Sequence, residues 1–188
     1  MSPDLQQRTG AFVAVVGPSG AGKDAVIAYA RERLEPHGVV FARRVITRPA
    51  GPAEECASAT EEQFAQLQDG GSFALAWRAH GLAYGIPAEY ARRAENGEVV
   101  VANVSRSVLS ELPDRFPRAF AVRITVPEDV RRARIAARGR EDDAGVAARV
   151  SRPDPAPDHP VDLEIVNDGT LEQAGERLVT FLRGVVDS

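Results

Sequence analysis

The stretch Gly17-Pro-Ser-Gly-Ala-Gly-Lys-Asp24 constrains this chain more than any other. Ahead of it stands an unbroken apolar run, Ala11-Phe-Val-Ala-Val-Val16, which suits a strand buried on both faces of a parallel sheet. Behind it, Val26, Ile27, Ala30 and Leu34 recur at helical spacing until Pro36 and Gly38 end the segment. A glycine-rich turn between a strand and a helix is the setting that makes G-x-x-x-x-G-K a phosphate loop. Gly17, Gly20 and Gly22 permit positive φ and close backbone approach. With Pro18, Ser19 and Ala21 they form a cradle whose N–H groups, together with the helix N-terminus, converge on a polyphosphate. Lys23 is a compact charge on a long stem, able to reach the β- and γ-phosphates of a nucleoside triphosphate. Asp24 stands where a serine or threonine usually offers a hydroxyl to Mg²⁺. Two roles are open to it: a hard oxygen ligand to the metal, directly or through water, or an acid stabilised by the helix dipole.

Composition sharpens the loop. Of 23 basic residues Lys23 is the single lysine, and the rest are arginines. A planar guanidinium cannot replace a compact ammonium inside a glycine cradle, so this is the one position that resisted an otherwise arginine-biased composition. The 27 acidic residues leave a net charge of −4 and exclude a dedicated nucleic-acid or anionic-membrane binder, which would need basic blocks to exchange for counterions. With 188 residues, 44% of them hydrophobic, the chain can bury the core of one domain. Cys56 is the only cysteine, so neither an internal disulfide nor a cysteine metal cluster is available. The run 11–16 is too short for a signal-peptide core or a membrane span, and a cytoplasmic, non-membrane protein is expected.

Further along, Val39–Ile46 reads as a second strand and Glu98–Asn103 and Ala119–Val126 as a third and fourth, with Val161–Val166 the last. Thr60-Glu-Glu-Gln63 starts a short helix through Leu67, and Phe73–Trp77 suits a strand. Helices are expected from Pro87 to about Glu95, from Pro127 to Gly139, over Asp142–Val150 and over Thr170–Val186. Four prolines in 152–160 mark a connection. Alternating strands and helices imply an α/β fold: a parallel sheet with helices on both faces. The chain is expected to be a single phosphate-loop kinase domain over 1–188. Residues from about 47 to 90 depart from the repeat and read as an insertion, which the kinase resemblance carried by the motifs below implies to be acceptor-binding.

Arg134-Ile-Ala-Ala-Arg138-Gly resembles the R-x-x-x-R-G of guanylate kinases, in which a following helix returns another arginine, here Arg149. The resemblance implies an arginine-bearing lid over about 138–150, with Arg138 and Arg149 catalytic and Arg134 at the nucleotide. Arg131 and Arg132 read instead as solvated helix charges. Val45-Ile-Thr-Arg-Pro49 resembles the acceptor-phosphate motif of that group, Tyr84-Gly85 its Y-G, and Val166-Asn-Asp168 its V-N-D, which implies Asn167 near the adenine. The departures fall on guanine recognition. Counted from Phe64 and from Tyr84-Gly85, Cys56 and Leu75 replace a tyrosine and the base-reading glutamate, and Arg44 replaces a small hydroxyl residue. A pocket built to hydrogen-bond a base loses orders of magnitude in selectivity when those groups go.

Taken together, the Asp after the lysine, Ile-Thr-Arg-Pro, Ala74-Leu-Ala-Trp-x-Ala-His-Gly-Leu-x-Tyr-Gly85, Asn103-x-Ser-Arg106 and Asn167-Asp-Gly169 resemble the ribose 1,5-bisphosphate phosphokinases of phosphonate utilisation, over about Phe12–Leu182. What this implies is transfer of the γ-phosphoryl of ATP, with Mg²⁺, to the 1-phosphate of ribose 1,5-bisphosphate, yielding 5-phosphoribosyl 1-diphosphate. The small phosphosugar would be held by Arg44, Arg48, His80, Tyr84, Asn103, Ser105 and Arg106. Tyr84 and Trp77 are equally readable as insertion core, His80 as a plain loop residue and Arg78 as surface. The rivals are a guanylate kinase with altered base contacts and a non-catalytic module of the same fold.

Overall fold

The central strand β1 (Ala11–Val16) carries the fold, and each of its residues is at most 1% exposed. In this computed structural model, which describes residues 10–49, 56–137 and 156–188, β1 lies between β7 (Val99–Asn103) and β8 (Ala119–Thr125), parallel to both. With β2 (Val40–Phe41) beyond β7 and β9 (Leu163–Val166) beyond β8, the main sheet runs β2-β7-β1-β8-β9, all parallel. Side chains of a strand alternate between faces. Ala11, Val13 and Val15 therefore join a core under α1 (Lys23–Leu34) and α6 (Leu171–Val186), while Phe12, Ala14 and Val16 join a second core on the opposite face. That second core is covered by α3 (Ala88–Glu95) and by a 3₁₀ turn, Arg106–Glu111, leading into the one-turn α4 (Leu112–Arg115). Burying a valine or phenylalanine side chain is worth about 1.5–3 kcal/mol, so β1 draws on both cores at once.

The expected strand Val39–Ile46 is in fact two. After β2 the Ala42 N–H still donates to Val101 O at 2.8 Å, the last rung on the main sheet. The Arg43 N–H is then taken by the Tyr90 hydroxyl at 3.0 Å, which ends the ladder. β3 (Arg44–Ile46) starts a separate sheet of order β4-β3-β6-β5, with β4 at Cys56–Ser58, β5 at Phe73–Ala79 and β6 at Leu82–Pro87. β5 turns at His80-Gly81, whose φ values of 55° and 72° suit the two-residue turn favoured between antiparallel strands. The strand β6 was not expected, because Gly85 and Pro87 interrupt its pattern. Gly85 is needed there: a Cβ would sit 2.5 Å from Phe73 Cδ1. Phe73 also stacks on Phe64 of α2 (Glu61–Asp69), a helix that begins with the expected Thr60/Gln63 capping box. Leu75, Trp77 and Ile86 pack this small sheet onto the second core.

The chain leaves β1 towards β2 on one side and β8 towards β9 on the other. The order reverses between β1 and β8, and open parallel sheets bind ligands at the carboxyl ends of such strands. α5 (Glu128–Ala137) follows β8 across that opening. The expected helix over 142–150, and with it the lid and both Arg138 and Arg149, lies outside the described residues. Among the described residues no helix is long and apolar enough to cross a membrane.

Candidate active site

The loop after β1 adopts the conformation its glycines allow, with φ of 152°, 84° and 84° at Gly17, Gly20 and Gly22. Gly22 is the left-handed N-cap of α1, and a Cβ on it would meet Asn167 Nδ2 at 2.5 Å. Asn167 is buried after β9, donates through Nδ2 to Ala21 O at 2.8 Å and through its backbone N–H to Thr125 O at 2.8 Å. It thus pins the back of the loop to the carboxyl ends of β8 and β9. The described side-chain contact of Asn167 is this one, and the residue is not part of the cleft lining described below. Ala21 also faces the core and not the cleft. Lys23 folds back over the loop, donating from Nζ to Gly17 O at 2.8 Å and Pro18 O at 3.1 Å.

α5 covers the other side of the loop. Arg132 is solvated and paired with Glu128 at 3.2 Å, as expected of a surface helix charge. Arg131, expected beside it in solvent, instead lines the cleft with its Nε buried, and its Cγ lies 3.0 Å from where a Cβ on Gly20 would be. The signal was available: residues 131 and 134 are three apart and share a helix face, whereas residue 132 does not. Arg134 Nη1 lies 3.7 Å from the Cβ position of Gly22, is buried, and has no hydrogen-bond partner among the described residues. A buried guanidinium nitrogen beside a cradle of N–H groups is a donor of the kind that pairs with phosphate oxygens.

One cleft, of about 470 Å³, joins this loop to the small sheet. Gly17, Pro18, Ser19, Gly20, Gly22, Lys23 and Asp24 form one wall, and every acceptor residue expected from the sequence lines the rest: Arg44, Arg48, His80, Tyr84, Asn103, Ser105 and Arg106. Arg44 and Ile46 are two apart on β3 and share its cleft face. Tyr84 is directly opposite Trp77 on β5, with the rings parallel to within 3° and 5.5 Å apart. The Arg44 guanidinium stands 5.9 Å from the Tyr84 centroid. Tyr84 and Trp77 thus pack against the second core and line the cleft together, and the two readings of them do not exclude each other. His80 lines the cleft from a turn, held at positive φ. Ser105 caps the 3₁₀ turn, accepting from the Ser107 N–H at 3.2 Å. Asp24 Oδ1 accepts from Asn103 Nδ2 at 2.7 Å and lies 3.9 Å from Arg44 Nη2.

The rim is held by α2. Arg78 is exposed and pairs with Glu61 at 3.1 Å, so it is a surface residue as expected, although it also borders the cleft. The Thr47 hydroxyl, and after it Arg78, hold the Glu61 carboxyl below its ordinary pKa. Thr47 Oγ1 accepts from the Ala83 N–H at 2.9 Å, so one hydroxyl links Glu61 to β6. Cys56 forms part of the cleft wall, but Leu75 is buried in the core and does not reach it.

A cleft joining a phosphate loop to a second, arginine-bearing sheet is common to many kinases, and comparison with known proteins separates them. No family model matches the chain. The ribose 1,5-bisphosphate phosphokinase PhnN of Pseudofrankia inefficax is 54% identical over 179 residues, spanning 95% of this chain and 92% of that protein. The chain belongs to the ribose 1,5-bisphosphate phosphokinase family. A second member, from Chelativorans sp., is 47% identical over 180 residues, covering 94% of this chain and 86% of the relative. Among solved structures, guanylate kinase from Anaplasma phagocytophilum superposes with a TM-score of 0.67 over 94% of this chain and 86% of its own, at 20% identity. The family thus has a guanylate-kinase-like fold, and the likeness to that enzyme is one of fold.

Proposed function

We propose that this enzyme transfers the γ-phosphoryl group of ATP to the 1-phosphate of ribose 1,5-bisphosphate, giving 5-phosphoribosyl 1-diphosphate and ADP. An oxygen of the 1-phosphate forms the new bond to the γ-phosphorus, and the bond from that phosphorus to the β,γ-bridging oxygen breaks. The observation that carries this reading is the single cleft in which the phosphate loop faces Arg44, Arg48, Tyr84 and Asn103, in a member of this family.

No general base is needed, because the attacking phosphate oxygen is already ionised at neutral pH. The work is positioning and charge neutralisation. The loop N–H groups cradle the donor phosphates, Lys23 leaves the Gly17 and Pro18 carbonyls to reach the transferred group, and Arg131 and Arg134 take donor oxygens from above. Arg44 and Arg48 hold acceptor phosphates, with Tyr84 and His80 orienting the sugar and Asn103, Ser105 and Arg106 closing the far wall. Residues 47–90 serve as the acceptor-binding unit and 138–150 as the lid, from which Arg138 and Arg149 spread charge. Asp24 would hold Mg²⁺, which would supply neutralisation of the donor phosphate charge. Asp24 fits it as a hard oxygen ligand, since its side chain is 75% exposed and can turn from Asn103 and Arg44 towards the donor phosphates.

The test is an acceptor panel of ribose 1,5-bisphosphate against GMP, followed by ADP release, with products identified by phosphorus NMR. Ribose 1,5-bisphosphate is expected to turn over far faster, and faster turnover of GMP would overturn the reading.

A further inference from the structure

One acid stands in a cleft otherwise furnished for anions. Its described lining holds Lys23 and five arginines, and Asp24 is the single acidic residue among them. The Asp24 carboxylate does not face solvent alone: Oδ1 receives the Asn103 amide at 2.7 Å, and Arg44 Nη2 lies at 3.9 Å. An amide donor and a guanidinium converging on one anionic oxygen are what a phosphate oxygen would meet in the same place. The partners differ in freedom. Arg44 is 26% exposed and stands beside the Tyr84 ring, whereas the Asp24 side chain is 75% exposed and can rotate away.

We propose that Asp24 is an internal stand-in for the acceptor: its carboxylate occupies Arg44 and Asn103 in the empty enzyme and leaves them when the acceptor phosphate arrives. This rests on the functional reading above, in which Arg44 and Asn103 bind acceptor and Asp24 turns towards the metal that accompanies the nucleotide. The two roles of one carboxylate exclude each other, so they couple the halves of the cleft. Loading the donor side draws Asp24 off its acceptor-side partners and tightens acceptor binding. By reciprocity, the acceptor tightens the donor by the same factor.

Acceptor binding is read without turnover by calorimetry and by the fluorescence of Trp77, the only tryptophan, which lines the cleft. Asp24→Asn keeps the size of the side chain and removes its charge. Without nucleotide the variant is expected to bind ribose 1,5-bisphosphate about three- to fivefold more tightly than the wild type, the range an exposed ion pair supplies. The tightening that Mg²⁺ with a non-hydrolysable ATP analogue produces in the wild type should shrink towards onefold in the variant. In an Arg44→Ala background, Asp24→Asn should no longer change acceptor affinity. Damage to the site would only weaken binding, so a gain distinguishes this role from a merely structural one. Acceptor affinity that Asp24→Asn leaves unchanged or weakens overturns the stand-in alone. Failure of the wild type to bind ribose 1,5-bisphosphate under any condition overturns the functional reading, and the stand-in with it.

Discussion

On the proposed donor side of the cleft, consecutive residues at the end of one strand make the wall. On the acceptor side, Arg44, Trp77, Tyr84 and Asn103 arrive from four different strands, β3, β5, β6 and β7. The donor surface is largely backbone, fixed by glycine conformations and by a buried amide behind it. The acceptor surface is side chains, held by a ring stack, a guanidinium near an aromatic face and ion pairs that water reaches. Such pairwise contacts are individually worth about 1 kcal/mol, somewhat less for the exposed ion pairs and up to about 1.5 kcal/mol for the ring stack. A fold built this way can keep its phosphoryl chemistry while a few side-chain exchanges change what accepts the phosphoryl group.

If the halves differ as described, substitutions should separate them. The largest effect is expected from Lys23→Ala, which should lower kcat about 10²- to 10³-fold, the cost of removing one preorganised group from a transition state. Acceptor affinity measured by binding should move little. A comparable loss of acceptor affinity would erase the distinction. Next, Arg48→Ala should raise the KM for ribose 1,5-bisphosphate about 10- to 100-fold, as loss of a charge-assisted hydrogen bond does, while the KM for ATP stays near its wild-type value. Steady-state kinetics with each substrate varied would show it, and equal changes in both constants would count against two separable halves.

Asn167→Ala tests the buried pin. It leaves the Ala21 carbonyl without its amide, which should destabilise the protein by about 1–3 kcal/mol and lower the thermal midpoint by roughly 2–4 °C per kcal/mol. Exchanging an exposed acceptor-side residue such as Arg78 for alanine should cost far less in the same melt. The smallest effect concerns acid. Because the native Glu61 pKa is depressed by Thr47 and Arg78, its contribution is present above the unfolded glutamate value of about 4.3 and is lost as pH falls through the lower native value. The difference in melting between wild type and Glu61→Gln should therefore be present at pH 7 and vanish on acidification below the usual carboxylate range. A difference that persists in acid would show that the carboxylate charge is not what secures the rim.

The same contrast explains what could be read before the fold was known. The phosphate loop, the strands beside it and the helix after it were legible because their determinants are contiguous: an apolar run, three glycines and one lysine. The residues expected to bind the acceptor all line the cleft, but the small sheet that carries Arg44 and Tyr84 is not legible in the sequence. Val39–Ile46 has the pattern of one strand, and only the Tyr90 hydroxyl, 47 residues away, shows why it stops pairing at Arg43. β6 was hidden by Gly85, whose missing side chain makes room for Phe73 on the neighbouring strand. The motif Val166-Asn-Asp168 marks Asn167 as a residue beside the phosphate loop. Its role as a pin depends on Ala21, 146 residues earlier, and no local pattern records that pairing. Arg131 differs from Arg132 in sequence only by its three-residue spacing from Arg134, a cue that becomes readable once the face of α5 turned to the cleft is known.

The burial of β1 bears on the order in which the enzyme loses its parts. That strand is shared between two cores, its residues alternating from one to the other, so its amides should be among the last to exchange with solvent, opening only when the whole protein does. The donor loop hangs directly from its end. The small sheet has its packed face on one core only and can part from it at lower cost. In the fluctuations that precede unfolding, this enzyme is expected to lose its grip on the sugar first and to keep a nucleotide-ready loop until the last cooperative step.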